Sequence, residues 1–131
     1  MFRRMAVLAG AVVAVLAISI APANATGGVY TTNGHGSVWF DSYGEHFTVN
    51  DWSADGDGVR GYLQELRRGP GGQDNYYPEK TLNNTNGLDG AATHSNRDIP
   101  EGRAVRYRVC LIDSAHDTSP HHCSGWKYDE A

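Results

Sequence analysis

The chain has 131 residues, including 16 glycines, five prolines and two cysteines, and its formal net charge is −4. This length allows one main domain. The excess of acidic side chains disfavours nucleic acid and anionic lipid as partners, because both repel a negatively charged surface.

The first 25 residues have the features of a secretory signal peptide. Two arginines at residues 3–4 precede an apolar run over residues 7–20, and Ala-Asn-Ala at residues 23–25 is a small-x-small cleavage site. The run is too short for a membrane anchor, and no later segment approaches the ~18 apolar residues that a span needs. We therefore predict a signal peptide at 1–25 and a secreted, extracellular domain at 26–131. We expect that domain to be a monomer without membrane contact.

Short segments of the predicted domain alternate between apolar and polar side chains, a pattern that predicts β-strands. Val38 and Phe40 share one face of such a segment, Phe47 and Val49 share one face of the next, and we expect all four in the core. The predicted strands cover residues 36–43, 45–52, 59–66, 103–113 and 122–128.

Two stretches lack this alternation. Residues 68–80 form a Gly/Pro-rich excursion, and residues 83–98 are polar and Asn-rich, with room for one short strand. Roughly five to eight short strands at these spacings indicate two packed antiparallel sheets. We predict an all-β fold, a small antiparallel β-sandwich, with a small β-barrel as the alternative.

Both cysteines, Cys110 and Cys123, lie in the predicted secreted domain. Export to an oxidising compartment favours a disulfide, and two cysteines allow only one pairing. Closing a loop of this size stabilises the fold by roughly 3 kcal/mol in the chain-entropy model.

Four short motifs are spread over the predicted domain. They are residues 39–51 (Trp-Phe-x-Ser-Tyr-Gly-Glu-x-Phe-x-Val-x-Asp), 55–56 (Asp-Gly), 106–110 (Arg-Tyr-Arg-Val-Cys) and 123–126 (Cys-Ser-Gly-Trp). Together they resemble a pattern shared by many small secreted proteins of actinobacteria, which have a leader, an all-β mature domain and one disulfide near the C-terminus. The resemblance implies a compact extracellular β-sandwich and carries over no catalytic residue.

The sharpest local motif is Asp-Trp-Ser-Ala-Asp-Gly-Asp at residues 51–57. It matches the first positions of an EF-type calcium loop, although the twelfth position is Tyr62 where a bidentate Glu is needed. Asp-Gly pairs are also typical of tight turns, and this pair precedes a predicted strand, as in a hairpin. We keep two interpretations, a calcium site formed by Asp51, Asp55 and Asp57, and a plain hairpin turn.

Three histidines, His116, His121 and His122, lie between the cysteines. Imidazoles bind zinc or copper, but this spacing matches no standard metal site. The pattern is typical of a solvated polar loop.

Carboxylates offer a route to hydrolysis. Asp41, Glu45 and Asp51 lie on or beside predicted strands and are candidates for the carboxylate pair that glycoside cleavage needs. The chain has no G-x-S-x-G nucleophile turn. We predict that the protein is not an enzyme, with a small secreted hydrolase as an alternative.

Aromatic side chains are the better candidates for ligand binding. Tyr76 and Tyr77 lie in the Gly/Pro-rich excursion, while Trp39 and Trp52 fall on or next to outward positions. Exposed rings bind sugar faces or protein surfaces, although the tryptophans have the alternative of filling a thin core. We predict a secreted, non-enzymatic recognition protein for an extracellular glycan or a secreted protein. A further alternative is a protease-inhibitor-like protein that presents residues 67–70 or the disulfide loop.

Overall fold

The computed structural model describes residues 26–131, which contain eight β-strands. Within this range there is no helix of the length and apolar character needed to cross a membrane. The predicted signal peptide lies outside the described residues. The strands are β1 Thr26–Tyr30, β2 Gly36–Asp41, β3 His46–Asp51, β4 Gly58–Arg68, β5 Asp74–Asn84, β6 Thr93–Asn96, β7 Ala104–Ile112 and β8 Lys127–Glu130.

The strands form two antiparallel four-stranded sheets. The first sheet has the order β1-β2-β3-β6, and the second has the order β5-β4-β7-β8. The predicted small β-sandwich is thereby confirmed. The described residues do not close into the alternative barrel, because each sheet ends in strands paired on one side only.

The core lies between the two sheets and follows the alternation of the strands. Val38, Phe40, Phe47 and Val49 are completely buried, as predicted. Because successive side chains on a strand point to opposite faces, every second residue of β4 and β7 meets them from the other sheet. The buried residues of those two strands include Val59, Leu63, Val105, Tyr107, Val109 and Leu111.

The Asp-Gly segment does not form a hairpin, so that prediction is wrong. β3 pairs with β2 and β6 in the first sheet, whereas β4 pairs with β5 and β7 in the second. The segment instead carries the chain from one sheet to the other. Gly56 has a φ of 81°, the left-handed conformation that the turn chemistry predicts. The turn bends the chain, but it does not determine whether β4 pairs with β3 or with strands of the other sheet.

One of the two longest strands, β5, begins inside the pattern-free excursion and extends beyond it to Asn84, and it was not predicted. β5 lies at the edge of the second sheet, and its residues are exposed or half-buried except for Asn84. An edge position tolerates Pro78, which pairs with Gln64 beside a shift in register. The strand therefore lacks the apolar alternation on which the prediction depended.

Cys110 and Cys123 form the predicted disulfide. Between them, His121 forms two backbone hydrogen bonds with Leu111, at 2.8 and 3.0 Å. The predicted terminal strand begins later than expected, at Lys127, where β8 pairs with the first half of β7.

Candidate functional site

The outer face of the second sheet carries a cluster of arginines and aromatic rings. The register places Tyr62 of β4 opposite Arg108 of β7, and Arg106 of β7 opposite Tyr128 of β8. These positions alternate with the buried residues of the same strands and so point away from the core. We call the following six residues the arginine–aromatic face: Tyr62, Tyr76, Arg106, Arg108, Trp126 and Tyr128.

Each arginine of this face lies over two rings. The guanidinium carbon of Arg106 is 4.4 Å from the ring centroid of Tyr76 and 4.2 Å from that of Trp126. The guanidinium carbon of Arg108 is 4.9 Å from the centroid of Tyr62 and 4.8 Å from that of Trp126. Cation–π contacts at these distances contribute about 0.5–2 kcal/mol each. Trp126 therefore links both arginines into one stack.

Neither arginine has an acidic partner in the described part of the chain. The Nε of Arg106 donates to Oε1 of Gln64 at 2.8 Å, a neutral acceptor. The Nε of Arg108 is buried and makes no hydrogen bond. None of the ion pairs among residues 26–131 includes Arg106 or Arg108. Because a partly buried charge is costly without a counter-charge, an incoming carboxylate would be strongly favoured here.

The two predicted tyrosines lie on opposite sides of β5. Tyr76 belongs to the arginine–aromatic face, where its ring meets that of Tyr128 edge to face, with 5.8 Å between centroids. Tyr77 is the next residue and pairs with the buried Glu65. The guanidinium of Arg67 lies 5.3 Å from the Tyr77 ring. Only one of the two tyrosines can therefore contact a ligand on the outer face.

The two predicted tryptophans lie away from that face, Trp39 on β2 of the first sheet and Trp52 directly after β3. Trp39 is 37% exposed and Trp52 is 49% exposed, so the alternative that they fill the core is wrong. The ring of Trp39 packs edge to face with Tyr30 at 6.2 Å. Trp52 donates from Nε1 to Oγ of Ser37 at 2.7 Å. Their proposed role in ligand binding remains a prediction.

Sequence reasoning assigned no binding role to most residues of the arginine–aromatic face. Arg106, Arg108 and Trp126 entered only through the motifs at residues 106–110 and 123–126, which imply a fold and no ligand. One signal was available, since two arginines spaced two apart on a strand must share a face. The rings that flank them come from three other segments, which the sequence does not bring together.

A second region is an open acidic cavity of about 450 Å³ beside the connection between β3 and β4. Its walls include the acidic residues Asp51, Asp57 and Asp113, and no lysine or arginine of residues 26–131 lines it. Ser53 and Asn86 add uncharged polar residues to the wall. The wall of the cavity is therefore negatively charged.

The sheet register brings two of these carboxylates together. Gly58, the first residue of β4, pairs with Ile112, the last residue of β7. Asp57 directly precedes Gly58, and Asp113 directly follows Ile112. The two aspartates therefore lie near each other at the end of the sheet. Like charges in this cross-strand relation repel.

The imidazole of His121 lies close to the carboxylates of Asp57 and Asp113. Oxygen atoms of Asp57 and Asp113 and a ring nitrogen of His121 all lie within 4.8 Å of one another. The Nε2 of His121 is 3.2 Å from Oδ2 of Asp57. We call Asp57, Asp113 and His121 the carboxylate–imidazole group.

The structure gives the three predicted calcium ligands different partners. Asp51 accepts a hydrogen bond from the Ser53 backbone N–H at 3.1 Å, and Asp55 lies 2.9 Å from Nδ1 of His35. Asp57 belongs to the carboxylate–imidazole group, and neither Asp51 nor Asp55 does. Calcium binding by these three residues remains a prediction.

Burial raises the pKa of Asp51 above its ordinary value. The side chain is buried, with 6% of the residue exposed, and its Oδ2 makes no hydrogen bond. The Ser53 N–H lowers the pKa in part, whereas the charges of Asp55 and Asp57 raise it further. The ionised form of Asp51 is therefore destabilised by folding.

We expect Asp51→Asn to stabilise the protein at pH 7 when metal is chelated with EDTA. The amide keeps the acceptor for the Ser53 N–H and removes a buried negative charge, a gain of about 1 kcal/mol or roughly 4 °C in Tm. Since the folded pKa of Asp51 is raised, its penalty is present above that pKa and absent below the unfolded value of about 3.9. The gain should therefore disappear at pH 3.

Thermal melts at the two pH values check this prediction, with Asp74→Asn as the control. Asp74 is an exposed carboxylate at the start of β5, and its removal should change stability by less than about 0.5 kcal/mol. A Tm gain of Asp51→Asn that is equal at pH 3 and pH 7 would contradict the charge argument.

The structure separates Asp51 from the other two carboxylates of the hydrolase alternative, Asp41 and Glu45. Asp41 pairs with His46 at the start of β3, and Glu45 directly precedes that strand. Asp51 is the last residue of β3, roughly 17 Å along the strand from its start. Glycosidase carboxyl groups lie about 5–9.5 Å apart. Asp51 therefore cannot form such a pair with Asp41 or Glu45.

The segment of the protease-inhibitor alternative lies at the turn between β4 and β5. The Nε of Arg67 is 2.8 Å from Oε1 of Glu65, so this arginine is held against the sheet. The side chain of Arg68 is 74% exposed. Inhibition through residues 67–70 remains a prediction.

Comparison with protein-family models, with curated proteins and with solved structures finds no match.

Proposed function

We propose that the protein is a secreted, non-enzymatic recognition protein whose arginine–aromatic face binds an acidic segment of another secreted protein. The observation that carries this proposal is the pair of guanidinium groups, Arg106 and Arg108, each lying over two rings and neither matched by an acidic partner within residues 26–131.

The chemistry of a stacked guanidinium favours a carboxylate. A ring covers the flat face of the group, while its N–H donors lie along its edge and suit the two oxygens of a carboxylate. The stack also limits the motion of both arginines before binding, which reduces the entropy lost on association. A partner's Asp or Glu side chain is therefore a better ligand than a neutral group.

The composition of the face favours a protein over a glycan. Trp, Tyr and Arg are the side chains most enriched in the energetic centres of protein interfaces. Sugars bind by stacking on open ring faces, whereas the rings of Tyr62, Tyr76 and Trp126 each have a guanidinium over them. Tyr128, which is 60% exposed, borders the face and adds apolar area to it.

The charge of the whole chain supports a specific partner. The formal net charge is −4, so long-range attraction for polyanions is absent. A local positive face on an acidic protein favours short-range recognition of a few carboxylates, and its strength should fall moderately with added salt.

Selection from a displayed library of random peptides tests the proposal. We expect enriched peptides to contain Asp or Glu, and Arg106→Gln and Arg108→Gln each to weaken their binding roughly tenfold or more, as expected for a lost charged hydrogen bond. Arg68→Gln is the matched control, because it removes the same charge from an exposed position outside the face and should leave binding unchanged.

A glycan array probed in parallel distinguishes the other class of partner. Peptides whose binding is unaffected by both arginine variants would contradict the proposal. Binding to uronate-containing glycans alone, lost in the same variants, would replace the protein partner by an acidic polysaccharide.

A further inference from the structure

We propose that Asp57, Asp113 and His121 bind one divalent transition-metal ion of the zinc type at the edge of the acidic cavity. This site is independent of the arginine–aromatic face, because it lies at the other end of β7 and shares no residue with it.

The first argument is the convergence of three ligand atoms from three segments. Asp57 comes from the connection into β4, Asp113 from the end of β7, and His121 from the disulfide loop. Their ligand atoms lie within 4.8 Å of one another. Four ligands at zinc–ligand distances of 2.0–2.1 Å stand about 3.3 Å apart in a tetrahedron, close to the 3.2 Å between His121 Nε2 and Asp57 Oδ2.

The second argument is the uncompensated negative charge. Asp57 and Asp113 flank the last residue pair of β4 and β7, Gly58 and Ile112, and no lysine or arginine among the described residues lines the cavity. Asp51 adds a third carboxylate to the wall. It is 94% buried, with an Oδ2 that has no hydrogen-bond partner. A divalent cation held by Asp57 and Asp113 offsets both of their charges and reduces the repulsion between Asp57 and Asp51.

The donor set selects the metal. Calcium and magnesium prefer six or more oxygen ligands, whereas one imidazole nitrogen with two carboxylate oxygens is a ligand set of zinc. The open cavity leaves room for water as the fourth ligand. We therefore expect a zinc-type ion in place of the calcium ion predicted from the aspartate spacing.

The fold holds the imidazole in position. Two backbone hydrogen bonds join His121 to Leu111, and the disulfide closes the loop two residues later at Cys123. A ligand held in this way loses little freedom on binding, which favours affinity. His116, in the same loop, is exposed and lies outside the group.

Isothermal titration calorimetry of the EDTA-treated, dialysed protein with ZnCl2 tests this site. We expect one zinc ion per chain and at least tenfold weaker binding in both Asp113→Asn and His121→Gln. His116→Gln is the matched control and should bind zinc as the unsubstituted protein does. Thermal melts of each variant without metal establish that it is folded, and zinc should raise Tm only where calorimetry detects binding.

Three results would overturn the proposal. The first is the absence of zinc binding to the unsubstituted protein. The second is zinc binding that persists unchanged in His121→Gln, because it would then come from other groups such as His35 and Asp55. The third is preferential binding of CaCl2 that His121→Gln does not alter, which would return the site to the aspartate loop.

Discussion

Replacing both cysteines with alanine, Cys110→Ala with Cys123→Ala, will lower the free energy of unfolding by about 3 kcal/mol. For a domain of this size the loss corresponds to a fall in Tm of roughly 12 °C. The disulfide acts mainly on the unfolded chain, which the bridge prevents from exploring the open forms of the loop between the cysteines. Urea denaturation followed by tryptophan fluorescence measures the change.

The same substitution should damage the carboxylate–imidazole group beyond its effect on global stability. Asp113 lies three residues after Cys110, and His121 lies two residues before Cys123. Opening the bridge removes the covalent link that closes the His121 segment and leaves it held by hydrogen bonds such as those to Leu111. We therefore expect weaker zinc binding at temperatures where the variant is still folded.

Reduction of the unsubstituted protein with a phosphine is the control for the alanine substitutions. It removes the covalent bond and keeps both sulfur atoms, so its loss of stability should match that of the double variant. A double variant that melts at the original temperature would mean that native packing alone closes this loop.

Much of the fold follows from the alternation of side chains. The segments around Val38, Phe47 and Val109 predict both the strands and their inward faces, because burial of apolar residues on one face requires a period of two. The single cysteine pair predicts the disulfide in the same direct way.

The choice of sheet could not be predicted. The Asp-Gly turn before β4 has the same local chemistry whether the next strand pairs with β3 or crosses to the other sheet, and here it crosses. β5 escaped prediction because an edge strand with mostly exposed side chains needs no apolar alternation. Both outcomes depend on tertiary packing.

The candidate sites were predictable only in part. Asp57 and Tyr76 were identified from local motifs. Asp57 belongs to the carboxylate–imidazole group, and Tyr76 belongs to the arginine–aromatic face. Asp113 was missed because its proximity to Asp57 arises from the register of β4 with β7, two strands distant in the chain. Trp126 was missed because a tryptophan near a cysteine is as typical of a core as of a surface.

Gly61→Ala will lower the free energy of unfolding by about 3 kcal/mol, at the upper end of the usual cost of overpacking. A Cβ at this position would lie 2.6 Å from Val38 Cγ1, 2.7 Å from Val49 Cγ2 and 2.9 Å from Phe47 Cζ. All three side chains belong to the first sheet and are completely buried. They are short or rigid, so relief of the overlap requires the two sheets to move apart.

Local propensity alone predicts the opposite sign for this substitution. Glycine within a strand costs roughly 0.5–1 kcal/mol relative to alanine, so a free strand would gain from Gly61→Ala. Gly125→Ala is the matched control, because a Cβ there meets nothing within 4 Å and should stabilise by about 0.4–1 kcal/mol through the unfolded chain. Urea denaturation of both variants measures the two changes. If Gly61→Ala stabilises the protein by the same amount as Gly125→Ala, the two sheets must leave room for a Cβ at Gly61. That result would contradict the close packing described above.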